Sequence, residues 1–314
     1  MPSFDTVNYS LRPSKGIQRQ IVFEGVRLLQ SAIDLESMAY IGFGSIWFSD
    51  FIAAHKMLQV EDMISIEAND VGFERALFNK PYATIRVKHG ISGEVLPTLY
   101  GDDVIKQRPW LIWLDYDYAF DESVRDDVRS LIENSPTNSI VILTFKGHEM
   151  AYGRPQDRPA RLKEVFGSVV PDDLEKNQCK DDQVQELLSK YSIDYMRSVA
   201  AEISRPGGFI PAFRIVYKDS IPMVTVGGIL PAKGAVSAAK EIIDSPSWCC
   251  MPTKSIVAPH LTMREANILQ SQLPRQEPIT REIVKALGFD LEQEQIDTFQ
   301  RYYKQYPAFA QIHN

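Results

Sequence analysis

The sequence predicts an α/β fold, in which a doubly wound, mostly parallel seven-stranded sheet ends in an antiparallel hairpin, with a helical insertion and C-terminal helices. Three observations lead to this prediction. Short apolar runs alternate with amphipathic stretches as far as about residue 146, and the first apolar run enters a glycine-rich turn. Later in the chain, two β-rich runs are separated only by Asp219 and Ser220, which is typical of a hairpin.

Composition is that of a folded protein. Of the 314 residues, 44% are hydrophobic and 24% charged, which are ordinary values for a globular domain. The formal net charge of −7 gives no basic footprint for bulk nucleic-acid binding or for an anionic membrane surface. The polar N-terminal stretch, and the lack of any apolar run approaching about 18 residues, predict a cytoplasmic protein without a membrane segment. The three cysteines lack zinc or redox spacing and are expected to be free thiols: Cys179, Cys249 and Cys250.

An N-terminal helix is predicted from apolar residues at helical spacing between Ile17 and Leu29, with Ser14 as its N-cap. Three cations lie around its start: Arg12, Lys15 and Arg19. The helix dipole does not favour cations at this end. They therefore either face an anion or form a solvated surface.

The first strand, residues 39–42, delivers a tight turn that contains Gly42 and Gly44. Glycine suits such a turn because it reaches positive φ without a Cβ clash and lets a ligand approach the backbone. An amphipathic stretch with Trp47 in its apolar stripe follows, and the second strand ends in Glu67. In dinucleotide-binding units an acid about 20 residues after the turn accepts hydrogen bonds from a ribose. The alternatives are a plain βα turn and a helix-cap or surface acid.

Three further strands are predicted from apolar and β-branched runs: 82–87, 109–115 and 139–145. The run 109–115 is almost continuously apolar, as expected of a parallel strand covered on both faces. It ends in Asp115, and Asp117 follows closely. Parallel sheets bind ligands outside the carboxyl ends of their strands, so Gly42, Glu67 and Asp115 should lie together. Capping of the next helix is the alternative role for the two aspartates.

Three segments are expected along the chain: an N-terminal arm and helix at 1–34, a sheet domain at 35–230, and a C-terminal helical extension at 231–314. A polar, proline-bearing insertion at about 150–206 could cover the ligand face. Thr262 and Glu265 have the spacing of a capping box, and Asp290 is a candidate cap for the last helix. The C-terminal helices are the expected surface for a homo-oligomer or a protein partner.

The glycine turn, the acids that end the second and fourth strands, and the hairpin after the fifth together resemble the class I S-adenosylmethionine-dependent methyltransferases, over about residues 35–230. The resemblance implies that S-adenosylmethionine is the cofactor. It also implies that the glycine turn wraps the methionine part and that Glu67 holds the ribose hydroxyls. Asp115, with Asp117, would then lie beside the cofactor at the reaction centre.

Two positions depart from the family turn, which usually carries an acid two residues before its first glycine and a third glycine two residues after its second. In this sequence these positions hold Tyr40 and Ile46, so Tyr40 takes the acid's place among the expected cofactor-binding residues. The departures leave two alternatives open. One is a catalytically degenerate member of the fold that acts as a binding or regulatory subunit. The other is an enzyme of another class that holds a different nucleotide.

The expected reaction is methylation of an oxygen atom on an unidentified small-molecule or macromolecular acceptor. If that oxygen belongs to a hydroxyl group, a general base adds typically about 10²- to 10⁴-fold to the rate, and the candidates are Asp115, Asp117 and His148. Residues 115–118 do not match the Asp/Asn-Pro-Pro-Tyr pattern of enzymes that methylate amino groups of DNA bases. The paired acids could hold a divalent metal, as in catechol-type O-methyltransferases. The residues after the fifth strand match those ligands poorly, so no metal is expected.

Overall fold

A computed structural model describes residues 12–35 and 37–307 of the chain. The described part contains the strands β1 (Ala39–Gly42), β2 (Met63–Glu67), β3 (Ile85–His89), β4 (Trp110–Asp115), β5 (Ser139–Lys146), β6 (Ile210–Lys218) and β7 (Pro222–Leu230). They form one seven-stranded sheet in the order β3-β2-β1-β4-β5-β7-β6. Strands β1 to β5 pair in parallel, and β7 lies antiparallel between β5 and β6. The predicted fold class is therefore confirmed.

Helices connect and flank the strands. In the described residues these are α1 (Pro13–Gln30), α2 (Ser49–Leu58), α3 (Asp70–Asn79), α4 (Ser92–Leu99), α5 (Glu122–Asn134), α6 (Arg158–Phe166), α7 (Asp181–Glu202), α8 (Val236–Ile243), α9 (Met263–Gln270), α10 (Arg281–Ala286) and α11 (Gln293–Tyr302). None of them is both long enough and apolar enough to cross a lipid bilayer.

Each face of the sheet is covered by its own apolar core. One core joins the sheet to α4, α5, α6 and α7. The other joins it to α1, α2, α8 and the segment 248–258, so the N-terminal helix and the C-terminal part of the chain share a core with the sheet. A third, smaller core holds the last three helices together, with Leu269, Ile279, Val284, Ile296 and Phe299 buried.

Two predicted helix caps are wrong, while a third is confirmed. Helix α1 begins at Pro13 and its N-cap is Arg12, so Ser14 lies inside the first turn. The N-cap of α11 is Glu292 rather than Asp290. The capping box of Thr262 before α9 forms as expected.

The edge strand β6 is supported by the C-terminal segment. Ile256 forms a parallel β-bridge with Tyr217, and the backbone N–H of Ala258 donates a hydrogen bond to Ser14 Oγ at 3.0 Å. The Ser14 hydroxyl in turn donates to the carbonyl oxygen of Lys218 at 2.8 Å. These contacts fix the start of α1 beside the end of β6.

Candidate functional site

A cleft of about 690 Å³ lies at the carboxyl ends of the central strands. Its walls come from the turn after β1, the ends of β2, β3, β4 and β5, the start of α1 and the β6–β7 hairpin. Of the seven predicted catalytic and cofactor-binding residues, four line it: Gly44, Glu67, Asp115 and Asp117. No residue of the 150–206 insertion does.

The two glycines are needed for close packing rather than for an unusual φ. A Cβ atom on Gly42 would lie 2.8 Å from the carbonyl oxygen of Trp113, and one on Gly44 would lie 2.5 Å from Ser65 Oγ. The backbone N–H of Gly44 donates a hydrogen bond to that same hydroxyl at 3.1 Å. Positive φ between β1 and α2 falls instead on Ser45, at 50°, and on Phe48, at 48°. The expectation that the glycines supply positive φ is therefore wrong.

Ser45 offers a polar atom to the cleft. Its Oγ is buried and has no hydrogen-bond partner among the described residues, although the residue lines the cleft. A buried hydroxyl without a partner costs about 1–3 kcal/mol, and a ligand group in the cleft could remove that cost. The cleft therefore fits a polar ligand beside the glycine turn.

Glu67 ends β2 at the edge of the cleft. One of its oxygens, Oε1, accepts a hydrogen bond from the backbone N–H of Asn69 at 2.9 Å. The cap of α3 is Asn69, whose side chain accepts a hydrogen bond from Gly72. Asn69, not Glu67, therefore caps α3. Among the described residues, no hydrogen bond is made to the second carboxylate oxygen of Glu67.

Two ion pairs connect α1 to the cleft. Lys15 pairs with Asp115, and Arg19 pairs with Asp50 at the start of α2. We call these four residues the charge quartet. Their side chains are largely buried: Lys15 is 4% exposed, Asp115 21%, and Arg19 and Asp50 each 12%. Lys15 and Arg19 therefore face carboxylates rather than solvent, and Arg12 also lines the cleft.

The members of the charge quartet influence one another. Burial raises the pKa of Asp115, and the charge of Asp50 adds to this rise, while Lys15 and Arg19 oppose it. Burial lowers the pKa of Arg19, but the carboxylates of Asp50 and Asp115 outweigh that effect and raise it above its ordinary value. The two carboxylates thus lie close enough to repel each other.

Aromatic rings form much of the remaining wall. Phe43 and Tyr116 pack edge to face with ring centres 5.3 Å apart, and Tyr116 packs likewise against Tyr118 at 5.2 Å. The Tyr116 hydroxyl donates to Asp127 at 2.7 Å. Trp47 lines the cleft and is 40% exposed, because α2 begins only at Ser49 and the ring belongs to the turn. The expectation that Trp47 is part of a helical apolar stripe is wrong.

The remaining predicted site residues, Tyr40, Gly42 and His148, are not among those that line the cleft. Tyr40 is 1% exposed and packs edge to face on Phe51 at 4.8 Å between ring centres. The His148 side chain accepts a hydrogen bond from the backbone N–H of Met150 at 3.3 Å, which caps a short 3₁₀ turn.

Within residues 12–35 and 37–307, no three His, Cys, Asp or Glu side chains are grouped so that they could hold a metal ion. Asp115 and Asp117 therefore belong to no such group among the described residues.

The sequence profile of one protein family matches residues 7–314, and that family is described as "Putative O-methyltransferase". The match spans nearly the whole chain, including the N-terminal helix and the C-terminal helices. No curated protein sequence matches the chain.

Several solved structures are similar to part of the chain at low sequence identity. Trm1 from Pyrococcus horikoshii, in complex with S-adenosyl-L-methionine, is 12% identical with a TM-score of 0.47, over 73% of this chain and 58% of that one. An O-methyltransferase from Bacillus cereus, in complex with SAH, is 12% identical with a TM-score of 0.38, over 66% and 80%. Fibrillarin from Methanococcus jannaschii, a pre-rRNA processing protein, is 11% identical with a TM-score of 0.39, over 63% and 68%. The chain thus spans less than two thirds of the length of Trm1.

Proposed function

The chain belongs to the family described as "Putative O-methyltransferase", and from that membership we propose that it transfers a methyl group from S-adenosylmethionine to an oxygen atom of a small-molecule or macromolecular acceptor. One observation carries the proposal. A single cleft is lined by Gly44, Glu67 and Asp115. Gly44 follows β1, and the other two residues end β2 and β4, the strands on either side of β1. Sheets of this kind bind their ligands at that edge.

The residues of the cleft suit an adenosyl ligand. In this proposal the second carboxylate oxygen of Glu67 accepts hydrogen bonds from the ribose hydroxyls. The Oγ of Ser45, which has no partner among the described residues, bonds to a polar atom of the ligand. Gly44 keeps the turn close to Ser65, which leaves space at the strand end. When bound, S-adenosylmethionine supplies an electrophilic methyl group on a positively charged sulfur.

Asp117 is the proposed general base. Asp115 is already engaged by Lys15, whereas Asp117 is exposed and lines the cleft. A carboxylate in this position can accept the proton that an acceptor hydroxyl releases as its oxygen is methylated. Proton transfer of this kind contributes typically about 10²- to 10⁴-fold.

The body of the acceptor would lie against aromatic rings. Trp47 is 40% exposed and Tyr118 is 38% exposed, and both line the cleft. Rings of this type bury large apolar areas and stack on planar groups. An acceptor with a flat apolar body and a hydroxyl group matches these walls.

Calorimetry with four ligands tests the proposal: S-adenosylmethionine, S-adenosylhomocysteine, NAD and ATP. Micromolar affinity for the first two, and none for NAD or ATP, is the expected result. Preference for NAD or ATP would assign the cleft to an enzyme of another class. Binding of none of the four would leave a binding or regulatory protein without a cofactor and would overturn the proposal.

A further inference from the structure

The amino-acid end of S-adenosylmethionine carries an ammonium and a carboxylate group, so a cleft that holds it must present both signs of charge. Tyr40, at the position where an acid is usual, is buried against Phe51 and does not line the cleft. Glu67 lies on the β2 side of β1, where the ribose is proposed to bind. An acidic partner for the ammonium group therefore has to come from other residues that line the cleft.

We propose that the charge quartet of Lys15, Arg19, Asp50 and Asp115 receives this zwitterionic end, an inference that rests on the proposed function. All four residues line the same cleft. In the sheet order, β1 lies between β2 and β4, so Asp115 ends the strand on the opposite side of the glycine turn from Glu67. The two ends of the cofactor then lie on opposite sides of β1.

The quartet has the charges that a zwitterion needs. Its two cations and two carboxylates already form two neutral pairs, Lys15 with Asp115 and Arg19 with Asp50. The carboxylates repel each other, since the charge of Asp50 raises the pKa of Asp115. An ammonium group placed between them relieves that repulsion. The ligand carboxylate then lies beside the two cations, and each charge has neighbours of opposite sign.

The location of the cations also points to a ligand. Lys15 lies in the first turn of α1, where the helix dipole disfavours positive charge, and Arg19 follows in the next turn. Lys15 is nevertheless 4% exposed, with its Nζ 5.8 Å from the ring centre of Trp113 and 5.5 Å from that of Tyr217. Buried ion pairs contribute little net stability compared with apolar contacts. Holding α1 on the sheet would therefore not require charges here.

Two ligands isolate the contribution of the amino-acid end. S-adenosylhomocysteine and 5′-methylthioadenosine share the adenosyl thioether, but only the first has the zwitterion. Because hydrogen bonds to charged groups contribute about 10- to 100-fold in affinity, we expect the wild-type protein to prefer S-adenosylhomocysteine by at least about tenfold. Lys15→Gln and Arg19→Gln should each lower the affinity for S-adenosylhomocysteine about tenfold. The affinity for 5′-methylthioadenosine should stay within about threefold of the wild-type value.

Arg158→Gln is the matched control. Arg158 is also 4% exposed and pairs with a carboxylate, Glu149, but it lies in the insertion and outside the cleft. This variant should keep the wild-type preference between the two ligands. Arg19→Lys keeps the positive charge and should keep most of the preference for S-adenosylhomocysteine. Asp50→Asn is nearly isosteric, and it tests the contact with the ligand ammonium group if a glutamine variant fails to fold.

The outcomes separate this inference from the proposed function. Equal weakening of both ligands by Lys15→Gln, Arg19→Gln or Asp50→Asn would mean that the quartet only positions α1, and would overturn the inference. A wild-type protein that binds both ligands equally well would also overturn it, while leaving the cofactor assignment intact. A wild-type protein that binds neither ligand would contradict the proposed function itself.

Discussion

The carboxylate of Asp219 accepts a hydrogen bond from the backbone N–H of Lys15 at 3.1 Å, which joins the β6–β7 turn to the start of α1. Its other oxygen accepts one from the N–H of Ser14 at 2.9 Å. The N-cap residue, Arg12, provides no side-chain cap. A residue more than 200 positions away in the sequence therefore caps the helix that carries two members of the charge quartet.

We expect Asp219→Ala to lower the free energy of unfolding by about 0.5–2 kcal/mol, the usual cost of losing a helix cap. The carboxylate also satisfies two N–H groups and complements the helix dipole, so Asp219→Asn should cost less than Asp219→Ala. Urea unfolding measures both values.

Asp244→Ala is the control for Asp219→Ala. Asp244 is exposed at the end of α8, so its removal should change the free energy of unfolding by less than about 0.5 kcal/mol. If Asp219→Ala lowers the free energy of unfolding as little as this control does, the start of α1 is held mainly by Ser14 and its contacts with Lys218 and Ala258.

Gly44→Ala is expected to destabilise the turn after β1. The added methyl group would lie 2.5 Å from Ser65 Oγ and 2.7 Å from the Phe48 ring, so the turn must shift. Overpacking of this kind costs typically about 1–3 kcal/mol. Because the turn lines the cleft, affinity for S-adenosylhomocysteine should fall as well.

Gly234→Ala is the matched control for Gly44→Ala. A Cβ atom at Gly234 meets no atom within 4 Å, so its stability should stay within about 0.5 kcal/mol of the wild type. Thermal unfolding, with and without S-adenosylhomocysteine, compares the two. Equal behaviour of the two variants would show that the turn can absorb a methyl group.

Strand positions could be predicted well from this sequence because the central strands are apolar runs bounded by polar residues. The strand that ends in Glu67 was predicted to its last residue, and Trp110–Asp115 to within one residue of its start. The helices α3 and α4 were not identified. In α3, the apolar Phe78 is 89% exposed, which breaks the expected apolar stripe. In α4, Val95, Leu96 and Leu99 are buried, but Pro97 lies inside the helix, and an internal proline normally argues against one.

The site could be predicted only where it depends on strand ends. Glu67 and Asp115 reach the cleft because parallel strands end at a common edge. The partnership of Lys15 with Asp115 depends on how α1 packs across the sheet, which no local pattern records. The unfavourable placement of cations near the start of α1 was the available signal, and it left open whether they faced an anion or solvent.

Glu67→Gln should weaken binding of S-adenosylhomocysteine by about tenfold, the usual effect of removing a charged hydrogen-bond acceptor. The amide keeps an oxygen that can still accept from the backbone N–H of Asn69, so stability should change little. Glu61→Gln, an exposed residue just before β2, is the control. Unchanged affinity in Glu67→Gln, measured by calorimetry, would remove this residue from the site.

The stability of the protein should depend on pH through Asp127, which is 5% exposed under the aromatic wall of the cleft. Burial raises the pKa of Asp127 above its ordinary value of 3.8, even though Ser92 and Tyr116 donate hydrogen bonds to it. The folded state thus favours the neutral form of Asp127. The contribution of this group to the free energy of unfolding is fully present below pH 3.8, and it is lost as the pH rises through the higher pKa of the folded state. The free energy of unfolding of Asp127→Asn should therefore rise relative to the wild type as the pH increases. Asp126→Asn is the control, because Asp126 lies on the same helix with a side chain 70% exposed, and it should show no such trend. Urea unfolding across this range measures the difference, and a relative stability of Asp127→Asn that falls with pH would mean that the hydrogen bonds from Ser92 and Tyr116 outweigh burial.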